Sequence, residues 1–429
     1  MKNFKYAENA DKFMAKYWRI FMKREKLQNY ANLLVRVGGN VQKGQLVIIG
    51  CDIIAAELGR MVQDAAYDAG AAEVIINWSD SISTRTRFLR ADDATFDVFP
   101  QWVVDRFAQW DERGAVYLHI SSDDPDYLNG VDPDRLSRLS KIAGESLKAH
   151  SLLTMSHKLR WSLCAFPSEG WAKKVFPDLP LEVAMDKLGE QILKAARADG
   201  TCPISDWEKH RATFIDKVEQ LNTSQFDALR FKNSLGTDIT VGMPKDHVWK
   251  GGGSTAGDGV LFFPNLPTEE IFSAPDRNRA DGRVVASMPL SYMGNLIEGI
   301  DITFKNGEVV DFKSKTGQDV LANLINTDEG SKRLGEVALV QKTSPINQMG
   351  TLFYNTLFDE NASCHLAIGK AYPHNLKGGT EMTPEELIER GINHSVVHVD
   401  FMFGTDDMSV IGIKADGTEE VIFENGEYI

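Results

Sequence analysis

The first half of the chain alternates continuous apolar runs with amphipathic stretches. Residues 45–50 (QLVIIG) form an unbroken apolar run, the pattern of a strand buried on both faces. Asp52 is placed to cap a helix over residues 53–69, and Gly70 to stop it. Residues 73–78 (EVIINW) read as the next strand, which completes a βαβ unit with the right-handed crossover expected of it. Residues 115–120 (AVYLHI) and 152–155 read as further strands. Between them, Leu136, Leu139, Ile142 and Leu147 recur at near-helical spacing over residues 133–149. This pattern predicts an α/β N-terminal domain over residues 1–200, with a mainly parallel sheet.

The pattern then changes. Ser205 to Glu208 (SDWE) carries a capping-box signature and heads a polar helix to about residue 221. Strand pairs dominate afterwards. Residues 229–233 and 238–241 flank Ser-Leu-Gly. Residues 299–305 and 309–313 flank Asn306-Gly307, and residues 408–414 and 419–423 flank Asp416-Gly417. The last two are type I′ hairpin signals. Residues 201–429 therefore read as an α+β C-terminal domain with mainly antiparallel strands.

Composition narrows the function. Of 429 residues, 43% are hydrophobic and 25% charged, an ordinary globular balance. Lysine and arginine number 47 against 61 acidic residues, a net charge of −14, which argues against nucleic acid or an anionic membrane surface as partner. The first 30 residues are charged throughout and lack the apolar core of a signal peptide. The most apolar stretch, residues 46–58, is broken by Asp52 and Glu57 and falls short of the roughly 20 residues a spanning helix needs. The four cysteines, Cys51, Cys164, Cys202 and Cys364, form no CxxC pair and no disulfide framework. A cytoplasmic protein with reduced thiols is expected.

Several common motifs are missing. No histidine precedes a glutamate, so there is no HExxH, and neither GxGxxG nor GxxxxGK[ST] occurs. Gly251-Gly252-Gly253-Ser254 has the look of a nucleophile loop, but Ala256 stands where GxSxG requires glycine. A flexible turn accounts for the run.

Four of the nine histidines lie between His365 and His398. In INHSVVHVDFMF, His398 and Asp400 are two apart, so on a strand they share a face. Val397, Val399, Phe401 and Phe403 take the other. The preceding helix is expected to start at Thr383, with Pro384 first and Glu386 completing a capping box, and to end at Gly391. A histidine and an aspartate on a strand backed by four apolar side chains need a partner. A divalent metal supplies one, and a structural His–Asp hydrogen bond is the alternative. His365 lies in a short apolar segment closed by Gly369, where a satisfied core histidine also fits, and Tyr372 follows before Pro373. Glu269 and Glu270 lie between a Pro-rich turn and the strand-like IFSAP. Paired acids of this kind also read as a solvated face. Glu336 stands beside an apolar β-branched run in LGEVALV, where a carboxylate has no obvious place unless paired. Together these supply two imidazoles and at least three carboxylates. That is the ligand mix of a hydrolytic two-metal site for Zn²⁺, Co²⁺ or Mn²⁺, in which a bridging water is acidified and a tyrosine hydroxyl can donate to an oxyanion.

Over most of its length the chain resembles the aminopeptidase T and aminopeptidase S (PepS-like) family of dinuclear metallo-aminopeptidases. The resemblance is strongest from GMPKDHVWKGGGSTAGDGVLFFPNLPTEEIFSAP through DGRVVASMPLSYMGNLIEGI to the end. It implies Glu270, Glu336, His365, His398 and Asp400 as metal ligands, in that order, with Tyr372 catalytic. Glu270 is preferred to Glu269 on the family's spacing alone, which leaves Glu269 a solvated residue. The resemblance also implies two divalent ions per subunit, peptide substrates with a free N-terminus, and a homodimer enclosing the active sites. Two other readings use the same residues: a dinuclear hydrolase of another acyl bond, and a metal- or ligand-binding protein without turnover.

Overall fold

The computed structural model describes residues 24–122, 124–292 and 294–429. Most of the charged N-terminal segment lies outside the described residues. The described residues form two compact units, residues 24–208 with 255–266, and residues 209–254 with 267–429.

The first unit is built on four parallel strands in the order Glu73–Ser79, Leu46–Asp52, Val116–Ser121, Trp161–Ala165. Parallel pairing requires crossover connections, and the helix Ala56–Asp68 supplies the first of them. Asp52 caps its entry by accepting the Ile54 N–H, and Gly70 leaves it at a positive φ of 97°. The segment 255–266 completes this unit. Its Phe263 N–H donates to Gly38 O, and the Ser162 hydroxyl donates to Phe263 O.

Three expected elements differ here. Residues 152–155 lie in the helix Lys148–Met155, and the fourth strand is Trp161–Ala165. A four-residue apolar run has no period long enough to separate helix from strand. The helix expected over 133–149 ends at Ser146, and a second begins at Lys148. The long polar helix runs Pro203–Ser224, so Ser205 is inside it rather than at its cap. Pro203 at the first helical position supplies the start instead.

The second unit holds an eight-stranded sheet and a four-stranded one. In the eight-stranded sheet every pairing is antiparallel. Asn306 and Gly307 both take positive φ, 51° and 79°, as a type I′ turn demands. At Asp416-Gly417 only the glycine does, and a longer loop closes by Lys414 N–H donating to Thr418 O.

The four-stranded antiparallel sheet has the order His398–Met402, His365–Gly369, Leu334–Leu339, Ile271–Ser273. Its register sorts the side chains. Ile271, Val337, Leu339, Leu366, Ile368, Val399 and Phe401 share one face and enter the main apolar core of this unit. The opposite face carries two rows. Phe272, Ala338, His365 and Met402 pair in line, and so do Glu336, Ala367 and Asp400, while His398 pairs with Gly369.

A β-bulge makes this sorting possible. Leu334 pairs with Ile368 on the apolar side, yet Glu336 pairs with Ala367 on the other. Two residues apart on a regular strand would share a face. The extra residue, Gly335, reverses the alternation, so Leu334 enters the core while Glu336 faces the other way. A Cβ at Gly335 would lie 2.4 Å from the carbonyl oxygens of Gly369 and Lys370. Gly335→Ala must therefore open the bulge. We expect it to lose about 1–3 kcal/mol of stability and to turn Glu336 from its place. Chemical denaturation and metal content on the same preparation check this, and wild-type values for both would refute it.

Candidate metal centre

Each candidate ligand is delivered by the sheet's polar face or its edge. Glu270 directly precedes the Ile271–Ser273 strand and, two residues from Phe272, points to the same side. Glu336, His365, His398 and Asp400 follow from the register above. The core behind them fixes their backbones, and the small residues Ala338, Ala367 and Gly369 between them leave room.

The side chains converge. His365 Nε2 lies 3.0 Å from Glu270 Oε2 and 3.4 Å from Glu336 Oε1. His398 Nε2 lies 3.7 Å from Glu336 Oε2 and 3.5 Å from Asp400 Oδ1. Two triads result, Glu270–Glu336–His365 and Glu336–His398–Asp400. In each, one donor atom per residue lies within 4.8 Å of the others. Glu336 belongs to both and turns one oxygen toward each imidazole.

Both imidazoles are oriented from behind. His365 Nδ1 meets Ser363 O at 3.2 Å, and His398 Nδ1 meets Lys370 O at 2.6 Å. A carbonyl can only accept, so each Nδ1 carries a proton and each Nε2 faces the cluster, where it can offer a lone pair to a cation once its own proton has left. Glu270, Glu336, His365 and Asp400 are buried. Within the cluster Glu270 Oε2, His365 Nε2 and Asp400 Oδ1 are enclosed and lack a hydrogen bond of acceptable geometry. Enclosed polar atoms that converge without partners are what a cation's ligands look like before the cation is placed among them. The donor set is nitrogen and oxygen only, which suits Zn²⁺, Co²⁺ or Mn²⁺. Cys364 is excluded, because its Sγ bonds the backbone of Val340 and burial pushes its thiol up to about 11.

Charge and burial compete strongly here. Burial, helped by Glu270 and Asp400, raises the Glu336 carboxyl to about 7 against the pull of His365. Burial would lower His398, but Asp400 and Glu336 outweigh it and lift the imidazole to about 10. His365 is raised by Glu270 and Glu336, again against its burial. Burial and the surrounding carboxylates push the Tyr372 phenol well above its ordinary value, so it remains a hydrogen-bond donor. Its ring centroid is 5.0 Å from that of His398 and 6.1 Å from that of Phe272.

Two acids show features that the sequence left hidden. Glu269, expected to be solvated, has a side chain only 7% exposed, with Oε1 3.9 Å from His210 Nε2. Its N–H donates to Asn361 Oδ1 at 2.6 Å, which pins the backbone entering Glu270. Glu360 gave no signal at all. Its carboxyl is raised by burial and then by the charges of Asp400 and Glu270, so it belongs to the same electrostatic cluster. It lies in the short turn Glu360–Ala362 that leads into the His365 strand, and no spacing rule points there.

Two imidazoles and three carboxylates, largely enclosed and converging on one face of an antiparallel sheet, form a group that could hold divalent metal as the centres of metal-dependent hydrolases do. Residues 23–428 match the family described as Thermophilic metalloprotease (M29), and the chain belongs to it. Aminopeptidase AmpS of Bacillus subtilis (strain 168) is 43% identical over 94% of this chain and 98% of its own length. Aminopeptidase PepS of Streptococcus thermophilus is 45% identical over 95% and 98%. The solved structure of wild-type AmpT from Thermus thermophilus is similar with a TM-score of 0.89 at 39% identity, covering 95% of this chain and 100% of that one.

The protonation pattern gives a direct expectation. Ligands must shed protons to take a cation, and here Glu336 and both imidazoles hold theirs unusually tightly. Metal loading at pH 6 should release more than one proton per subunit, and affinity should fall as pH drops through about 7. Calorimetric titration in buffers of different ionisation enthalpy counts those protons. Loading that is independent of pH between 5 and 8 would contradict the assignment.

Proposed function

We propose that the chain is a metal-dependent aminopeptidase that releases N-terminal residues from short peptides. In this reading two divalent ions, Zn²⁺, Co²⁺ or Mn²⁺, are held by Glu270, Glu336, His365, His398 and Asp400. The observation that carries it is Glu336, shared by two triads with one oxygen for each. When bound, the ions supply Lewis acidity toward a shared water and toward the scissile carbonyl.

The protein's own residues do the rest. Three ligand carboxylates against two divalent ions leave one net positive charge, which favours an anion developing over the sheet face. Tyr372 keeps its proton and donates a hydrogen bond to the oxyanion as the carbonyl carbon becomes tetrahedral. Glu360, in neither triad, has its carboxyl pushed up by burial and by its acidic neighbours; bound divalent ions would favour its ionised form, which could then pair with the substrate's α-ammonium, the group that distinguishes an N-terminal residue. The carbonyl oxygens of Ser363 and Lys370 hold the two imidazole tautomers throughout. The homodimer and cytoplasmic location expected from the sequence belong to the same reading. Among the described residues no helix is long and apolar enough to cross a membrane.

The test is removal and return of metal. Thorough chelation should abolish hydrolysis of di- and tripeptides, and Zn²⁺, Co²⁺ or Mn²⁺ should restore it at two ions per subunit. N-acetylated peptides should remain intact. Full activity without metal, or equal cleavage of acetylated peptides, would overturn the proposal. Tyr372→Phe tests the oxyanion role separately. It keeps the ring and should keep both ions, with kcat lower by about 10²–10³ and KM little changed. Unchanged single-turnover hydrolysis would return Tyr372 to a packing role, and loss of metal would make it a support of the ligands.

A further inference from the structure

Lys250 lies on the same face as the metal centre. Its N–H donates to Phe272 O and the Phe272 N–H donates to Lys250 O, both at 2.9 Å, so the two residues form a hydrogen-bonded antiparallel pair. Residues paired in this way project to the same side. Phe272 is in the row of Ala338 and His365, so the Lys250 side chain leaves the backbone on the side of the ligands. The segment before it is fastened to the Tyr372 turn, since Val248 N–H donates to Asn375 O and the Asn375 amide returns a bond to Val248 O. The first two of the three glycines after it are packed rather than loose. A Cβ on Gly251 would lie 3.0 Å from Glu270 O, and one on Gly252 2.9 Å from the Phe214 Cβ. Lys250 is therefore held in place from both sides.

Its charge is not matched by the protein. Among the described residues no carboxylate comes within ion-pair distance of Lys250, and burial alone lowers its ammonium from the ordinary lysine value. A half-buried cation without an anion, beside a metal centre, is a place where a substrate can supply the missing charge. The spacing selects which one. The Lys250–Phe272 pair lies two residues along the strand from Glu270, about 6.5–7 Å. An extended chain advances about 3.3–3.6 Å per residue, so the carboxylate of a dipeptide or tripeptide whose first residue is at the metals comes within reach of a lysine stem.

We propose that Lys250 binds the C-terminal carboxylate of di- and tripeptide substrates and thereby favours short free-acid peptides over longer or amidated ones. This rests on the aminopeptidase reading and names a specificity residue within it. The experiment compares kcat/KM for a dipeptide and a tripeptide with that for their C-terminal amides in wild type, Lys250→Met and Lys250→Arg. Alongside it, calorimetry measures binding of a dipeptide with a reduced, uncleavable peptide bond and of its amide, and metal content is determined throughout. Wild type should prefer the free acid by about tenfold or more in both measurements. Lys250→Met should bring the ratio close to one with metal stoichiometry unchanged, and Lys250→Arg should retain part of the preference. Equal use of acid and amide by wild type overturns the proposal without need of any variant, and so does a preference that survives in Lys250→Met. Failure of the metal-loaded wild type to cleave any free-amine peptide would instead remove the aminopeptidase reading, and the binding ratio would still decide the role of Lys250.

Discussion

The second unit depends on keeping three carboxylates inside the protein. Burying ionised groups is unfavourable unless something neutralises them, and Glu270, Glu336 and Asp400 are all buried, with Glu336 offering an oxygen within 4.8 Å of each of the other two. Two imidazoles answer part of that charge. Without a cation the remainder is met by protons, which is why Glu336 is raised to about 7 and His398 to about 10. Divalent ions answer it more completely, because they neutralise without asking the carboxylates to give up their charge. The cluster is thus held in a state that metal relieves, and the sheet must be rigid enough to prevent the carboxylates from escaping to solvent.

The apolar side of the same sheet provides that rigidity. Val337, Leu366, Phe401 and their neighbours lock four strands against the core, and strict alternation projects the ligands from the other face. The bulge at Gly335 is the one departure, and it serves both sides at once, giving Leu334 to the core and Glu336 to the cluster on the other face. Pre-organisation here comes from backbone pairing, with long-range contributions from Asn361 under Glu270 and from Lys370 O behind His398.

How much of this the sequence revealed follows from the range of each signal. The shared face of His398 and Asp400 was legible because a strand's period is two and four apolar neighbours occupied the alternate positions. The Asn306-Gly307 turn was legible because few dipeptides tolerate two positive φ angles. The helix at residues 152–155 was not, since four apolar residues are too few to define a period. Nor was the burial of Glu269, because its neighbours His210 and Asn361 are distant in the chain. Glu360 and Lys250 carry no motif. Their significance comes from which side of a sheet, or which turn, the fold brings to the cluster. Local pattern and the family resemblance thus pointed to the candidate ligands, which the fold brings together, while the groups around them depend on tertiary pairing.

Those surrounding groups explain how one sheet face can read both ends of a small substrate. In the proposed reading three ligand carboxylates leave one net positive charge on two divalent ions, and Glu360, once ionised, would offset it. An α-ammonium would be drawn toward Glu360, whose carboxyl feels the negative charges of Asp400, Glu270 and Glu336. Lys250, paired with Phe272 two residues along from Glu270 and with no carboxylate within ion-pair distance among the described residues, would supply positive charge where a short peptide ends. A zwitterionic peptide therefore finds its two charges matched at a separation fixed by the strand's own repeat. The hydrogen-bonded pairing of Lys250 with Phe272 sets that separation, and the close packing of Gly251 on the Glu270 carbonyl keeps it from drifting. On the proposed reading, selectivity for length would arise from the same backbone register that brings the candidate ligands together, so that binding and chemistry would be placed by a single structural element.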